Sequence, residues 1–264
     1  MARLVHAATY GFAAPAKGLV LDLRLAPAAW EEHRAGAALS LVPPPARLRR
    51  TVDAWGNTVD RALFARPIAR LSLSMLIDVA GTPGPRPGHP PTAADLAPEP
   101  DGSPCAPRPA AGVPVCRTPD APAAVHDRVS AELAALSHGW RFAPVPAGPD
   151  TPLAALERDR RGLCLEMSRL LVRRLRLAGI AARFVLGYAL DARDRASVRE
   201  RHAWVAFHDG RGWHEVDPAA PDRPCEARFA TAWGPAVAAI LPVRARRPSN
   251  LVTARAEWST QIDR

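Results

Sequence analysis

Thirteen of the 42 residues from Gly81 to Pro122 are proline, with glycine and alanine between them. Proline lacks an amide hydrogen and holds φ near −65°, so such a stretch sustains neither a helix nor a β-ladder. It reads as an extended linker or surface insertion, and it divides the chain into residues 1–80, 81–122 and 123–264. Elsewhere the chain is ordinary for a globular protein. With 48% hydrophobic and 23% charged residues it can bury a core, and wholesale disorder is not expected. No apolar run approaches the roughly 18 residues of a membrane span, so no membrane partner is expected. Met1 to Lys17 shows no basic stretch leading into an apolar one, and no signal peptide is expected.

Residues 1–80 read as a β module. Leu19 to Leu25 and Leu71 to Val79 alternate apolar and polar side chains. Pro43, Pro44 and Pro45 break the run after Leu39–Val42, and Trp55-Gly56-Asn57 marks a turn. Short alternating strands between turn residues predict an antiparallel, sandwich-like arrangement.

Two cysteines, Cys105 and Cys116, fall in the Pro-rich segment. Ten intervening residues are not a usual zinc spacing and no histidine pair follows, so they read as incidental thiols first, an oxidisable loop pair next and a metal site last. Four cysteines in 264 residues do not form a disulfide scaffold, which makes a reduced, cytoplasmic setting the default expectation.

The net charge of +9 is a weak guide to partners. Of 35 basic residues only Lys17 is lysine, and the arginines are scattered rather than gathered with aromatics on one face. That pattern reads as compositional bias, and no nucleic-acid partner is expected. The oligomeric state is not legible.

Beyond the insertion, Val125, Val129, Leu133 and Leu136 recur at helical spacing. A longer helix is expected from about Leu163 to Ala178, stopped by Gly179. Ile180–Leu190, His202–His208 and Trp213–Val216 read as strands, with Asp209-Gly210 and Gly212 turning a hairpin.

Three residues in this half carry chemistry. Cys164 stands at the start of the long helix, where free backbone N–H groups and the helix dipole favour a thiolate and can cradle an oxyanion. His202 opens a strand about forty residues later and is placed to act as general base, then acid. Asp217 lies on the next strand of the hairpin, close enough to fix the imidazole tautomer. Singly each is weak: a cysteine at a helix start is commonly a small buried apolar residue. Together they form a Cys-His-Asp set in chain order.

The arrangement resembles the transglutaminase-like superfamily. The likeness rests on Gly162-x-Cys164, the stretch from Leu170 through Gly179-Ile-Ala-Ala-Arg-Phe-Val-Leu-Gly-Tyr188, His202-Ala-Trp204, Gly212-Trp213 and Asp217-Pro218. Upstream, His6-x-x-Thr9-Tyr10, Leu23-x-Leu25-x-Pro27 and Asp53-x-Trp-Gly-Asn57 are similar to the β-rich region that precedes this core in bacterial members. Departures from the family pattern are Leu165-Glu166 after the cysteine, Ala219 after Asp-Pro, and Gly234-Pro-Ala-Val237. The resemblance implies an α+β fold: an N-terminal antiparallel β module followed by a papain-like core, with Cys164, His202 and Asp217 as its triad. It also implies a peptide or glutamine side-chain amide as substrate, with water or an amine as acyl acceptor. Hydrolysis is favoured because no second pocket for a lysine is evident. No metal or organic cofactor is required by that chemistry, and no calcium-binding loop pattern occurs. Arg161-Gly-Leu-Cys-Leu-Glu166 is also similar to arylamine N-acetyltransferases, an acyl-transfer alternative; a non-catalytic peptide-binding member is the other.

Trp204, Trp213 and Tyr188 are candidate substrate contacts, weighed against simple packing in strands. Glu166 is turned away from the face of Cys164 and reads as structural. His208 and His214 read as surface histidines without an acidic or cysteine partner to complete a metal site.

Overall fold

The computed structural model of the 264-residue chain describes residues 2–33, 35–80, 88–98, 122–145, 150–189, 201–221, 228–246 and 255–263. The N-terminal half supplies β1 (Ala2–Ala16), β2 (Val20–Leu23), β3 (Ala35–Val42), β4 (Arg47–Val52), β5 (Thr58–Leu63) and β6 (Ile68–Val79). On β6 every second side chain is buried, from Leu71 through Leu73, Met75 and Ile77 to Val79. These residues pack with Leu4, Ala8 and Tyr10 of β1 and Leu21 and Leu23 of β2. The period-2 pattern thus places one face of each of two sheets in a shared core.

Two strands from the far end of the chain complete those sheets. β13 (Val243–Ala245) pairs with β2, and β14 (Arg255–Asp263) pairs antiparallel along β1, from Arg3 opposite Asp263 to Gly11 opposite Arg255. The sheet orders are β14-β1-β6-β3 and β13-β2-β5-β4. β4 stays at an edge, where exposed Arg47, Arg49 and Arg50 discourage further strand pairing.

The Pro-rich segment is described only in part, and Cys105 and Cys116 lie outside the described residues. Within it a short helix, α1 (Ala93–Leu96), departs from the linker expected there. The Asp95 carboxylate accepts the Thr92 N–H at 2.7 Å, which starts the turn. A long-range partner, Arg183, then holds it in place.

The second half contains α2 (Pro122–Ser137), the short strands β7 (Arg141–Phe142) and β8 (Arg161–Gly162), α3 (Leu153–Asp159) and α4 (Cys164–Leu177). An antiparallel sheet follows, built from β9 (Ala182–Ala189), β10 (Arg201–His208), β11 (Trp213–Val216) and β12 (Arg228–Gly234), in the order β11-β10-β9-β12; α5 (Val237–Ile240) lies after it. Met167, Leu170, Leu171 and Leu175 of α4 pack with Val125 and Val129 of α2 and with Phe184, Val205 and Phe207 of the sheet. This is the α+β architecture expected of a transglutaminase-like core.

The alternate side chains Val185, Trp204, Ala206, Ala230 and Trp233 form a separate cluster with Trp30 and Trp55 from the N-terminal half. The sheet is therefore covered on both faces. Arg183 sits in this layer with a side chain only 1% exposed. Its guanidinium grips Asp95 with two bonds of 2.7 and 2.9 Å. The same group lies 4.1 Å from the Trp213 ring, 4.4 Å from Trp233 and 4.9 Å from Trp55. A delocalised, weakly hydrated cation suits such a site where an ammonium does not.

Candidate active site

The start of α4 is prepared by its neighbours. A Cβ on Gly162 would come within 2.5 Å of the Glu166 side chain, so only glycine leaves room there. Glu166 folds back to accept the Leu163 N–H at 2.8 Å, and the first helical bond runs from Met167 N–H to the Leu163 carbonyl at 3.1 Å. The N–H groups of Cys164 and Leu165 therefore precede any intrahelical acceptor. Glu166 is a helix cap, in keeping with its structural reading.

His202 is the second residue of β10, and Asp217 lies just past the end of β11, the strand paired with it. His202 Nε2 is 2.7 Å from Asp217 Oδ2. The ring also hydrogen-bonds to Cys164. Asp217 is held from its other side by the Ala219 N–H, 3.0 Å from Oδ1. Arg228, from β12, places its guanidinium 3.6 Å from Asp217 Oδ2, with both side chains almost fully buried.

The electrostatics follow from this geometry. Burial alone would lower the His202 pKa, but hydrogen bonds and charge from Asp217 and Cys164 outweigh it and push the value up to about 9. Burial likewise opposes ionisation of Asp217; His202 and Arg228 nevertheless hold its carboxyl below the ordinary carboxylate value. The two shifts agree in sign: the cation on His202 and the anion on Asp217 favour each other.

Trp204 stacks on His202 with centroids 6.0 Å apart and planes 22° apart. That indole fits because residue 187, opposite His202 on β9, is glycine. A Cβ there would meet the Phe229 carbonyl oxygen and lie 2.7 Å from the Trp204 ring.

The three candidate substrate contacts sit elsewhere than the thiol. Trp204 and Tyr188 are fully buried, with Tyr188 stacked on Phe229. Trp213 packs on Arg183 and Trp233, and its Nε1–H donates to the His89 carbonyl at 2.7 Å. None of the three lines the cavity that contains Cys164. That cavity has a volume of about 450 Å³. Its walls are Tyr10, Phe12 and Leu21 from the N-terminal half, Leu186 and Ala203 from the core sheet, and Leu241 near the C-terminal end. Arg201 is its one charged residue among the described ones. Arg201 and Arg228 belong to no motif and are indistinguishable from the other arginines in sequence; only strand register places them.

His214 requires a correction. Its sequence neighbourhood offered no completing ligands, but the fold brings Asp209 to 2.9 Å from His214 Nε2 and His126 of α2 to 3.5 Å from the same carboxylate oxygen. Spacing could not show this, because His126 lies on a different element. His208 lies outside this cluster: its Nδ1 accepts the Gly210 N–H, and its ring meets Trp213 on the other face of the sheet.

Two family models match. The transglutaminase-like superfamily model covers residues 115–218, and the bacterial transglutaminase-like N-terminal region covers residues 2–80. Among solved structures, a candidate cysteine protease from Cytophaga hutchinsonii matches with a TM-score of 0.67 at 14% identity, over 99% of this chain and 90% of that one. The periplasmic domain of TgpA from Pseudomonas aeruginosa, bound to ethylmercury, gives a TM-score of 0.35 at 17% identity, over 84% of this chain and 91% of that one. The same domain without that ligand gives 0.33 at 16% identity, over 83% and 88%. No curated protein matches the chain.

These neighbours correct the cytoplasmic expectation. The TgpA domains are periplasmic, and the cytoplasmic expectation is withdrawn. Among the described residues, no helix is long and apolar enough to cross a membrane. Two family models, one over residues 2–80 and one over residues 115–218, agree with the motifs around Cys164, His202 and Asp217: the chain belongs to the transglutaminase-like superfamily.

Proposed function

We propose that this protein is a cysteine amidase or peptidase that works through a thioester. The observation that carries the reading is the hydrogen-bonded series Cys164, His202, Asp217, with the cysteine at the first turn of α4. Asp217 stabilises the cation that His202 forms when it takes the Cys164 thiol proton. The Cys164 sulfur attacks the amide carbonyl carbon, and a C–S bond forms as the carbonyl π pair moves to oxygen. The N–H groups at the start of α4 are placed to receive that oxyanion. His202 gives its proton to the departing nitrogen as the C–N bond breaks, and the thioester remains. Water then attacks; His202 takes its proton, the C–S bond breaks, and the carboxylic acid leaves with the thiolate restored.

The cavity beside Cys164 supports a substrate that carries an apolar side chain close to the scissile amide, because its walls are almost wholly apolar. The role of Asp217 is orientation and charge, with Arg228 keeping the carboxylate ionised.

The test is a peptide library incubated with the protein, with and without a primary amine, and read by mass. Cleavage or deamidation is expected, and both should vanish in Cys164→Ala. Products that persist in Cys164→Ala would overturn the reading. Amine incorporation in preference to hydrolysis would overturn the assignment of water as acceptor.

A further inference from the structure

The geometry points to a binding site for one divalent late transition metal of the zinc class, formed by His126, Asp209 and His214 at the end of the β10–β11 hairpin remote from Cys164. This proposal does not rest on the thioester reaction. Asp209 Oδ2 lies 2.9 Å from His214 Nε2 and 3.5 Å from His126 Nε2, and the three donor atoms all fall within 4.8 Å of one another. Donors bound about 2.0–2.1 Å from a tetrahedral ion sit about 3.3 Å apart, so small side-chain adjustments suffice.

The protein holds these donors in place. Asp209 is buried, and its other oxygen accepts the Arg211 and Gly212 N–H groups at 2.8 and 2.9 Å. That fixes the carboxylate plane and leaves Oδ2 facing both imidazoles. The His214 ring stacks on Phe207, 5.5 Å away, and the His126 ring meets the edge of both Phe207 and His214. At 3.5 Å, His126 is beyond a normal hydrogen bond to a carboxylate already serving His214. Two imidazole nitrogens converging on one carboxylate oxygen form an N₂O donor set. Zinc and its neighbours prefer such a set; calcium and magnesium prefer oxygen alone. His126 and His214 are both exposed, so an ion has access and water can fill a fourth position.

The site joins α2 to the hairpin whose other end carries His202 and Asp217. His208 lies six strand positions beyond His202, about 20 Å at 3.3 Å per residue. The ion therefore acts on the rigidity of the hairpin and touches no reacting group.

The test uses the full chain, freed of metal by a chelator. All thiols are first alkylated with iodoacetamide, so that Cys164 cannot bind the ion. Calorimetric titration with zinc chloride should show one equivalent bound, and thermal unfolding should shift upward with zinc but not with calcium. His126→Ala and His214→Ala should each weaken binding at least tenfold. Zinc should also protect these two histidines from diethyl pyrocarbonate in the unmutated chain, as mapped by peptide mass, a readout independent of variant folding. Absence of saturable binding, affinity unchanged when His126→Ala and His214→Ala are combined, or unaltered modification of both histidines would each overturn the site.

Discussion

Asn57 and Trp233, 176 residues apart, exchange two hydrogen bonds as if they were neighbouring strands. Asn57 Nδ2 donates to the Trp233 carbonyl at 2.8 Å, and the Trp233 N–H donates back to Asn57 Oδ1 at 2.8 Å. Asn57 is fully buried, and Asp53 completes its environment by accepting from the same Nδ2 at 3.1 Å. The turn Asp53–Asn57 is thus a clip between the N-terminal sheets and strand β12 of the core. Leucine at this position would leave the Trp233 amide and carbonyl without those partners in a buried layer. Each such group costs about 1–3 kcal/mol. Asn57→Leu should therefore lower unfolding stability by roughly 2–6 kcal/mol in urea titration by the same arithmetic. An unchanged midpoint would show that the two halves are held together by packing alone.

The Arg183–Asp95 pair makes a second prediction about the same layer. Both side chains are essentially without solvent, so removing one leaves the other charge buried and alone. Arg183→Met and Asp95→Asn should each cost about 3–5 kcal/mol. Arg183→Lys should recover little, because lysine cannot reproduce the two-pronged contact or the stacking on three indoles. Full stability in the lysine variant would refute the role of guanidinium geometry. Loss of Asp95 should also release α1, detectable as new protease cleavage between residues 88 and 98.

The strand and helix assignments were legible because they rest on local periodicity. Leu71 to Val79 alternates, and Met167 to Leu175 follows one helix face, so burial reproduces the pattern. The candidate site was legible for a related reason: Cys164 announces itself by its helix start, and His202 and Asp217 by flanking a short hairpin. What stayed hidden depends on distant register. Asp95 meets Arg183 across 88 positions, Arg228 reaches Asp217 from a separate strand, and β14 returns to pair with β1. The three candidate aromatics lie outside the cavity wall for a physical reason as well. An indole or phenol ring beside a motif residue is most readily accommodated in the core beneath it, and Trp204 supports His202 from there.

The His202–Asp217 contact predicts a specific pH dependence. The His202 pKa is about 9 in the fold, against 6.5 for an unperturbed histidine. Its stabilising contribution is therefore fully present below pH 6.5 and is lost as the pH rises through about 9. Asp217, with its pKa lowered, contributes above its ordinary value of 3.8, and that contribution disappears as the pH falls through its folded value. NMR titration of the His202 ring should find a value near 9 in the unmodified protein. Both Asp217→Asn and Cys164→Ala should lower it, since each removes a partner that favours the cation. A value that stays near 9 in both variants would show that neither group is the cause.

The apolar cavity beside Cys164 predicts selectivity on the acyl side of the scissile amide. Its walls come from β1 and β2 as well as from the core, so the N-terminal half takes part in choosing the substrate. Matched peptides with leucine or phenylalanine nearest the amide should exceed those with aspartate in kcat/KM by about 10–200-fold, the range for filling an apolar pocket. Arg201, partly buried, is the one charged wall residue among those described; a lysine substrate should fare worst, because it would bring like charge into the same space. Leu241→Glu should erase the preference for apolar peptides while leaving alkylation of Cys164 by iodoacetamide at its original rate. That control separates a changed wall from a changed nucleophile. Equal kcat/KM across apolar and charged peptides in the unmodified protein would mean that the cavity does not receive the substrate side chain.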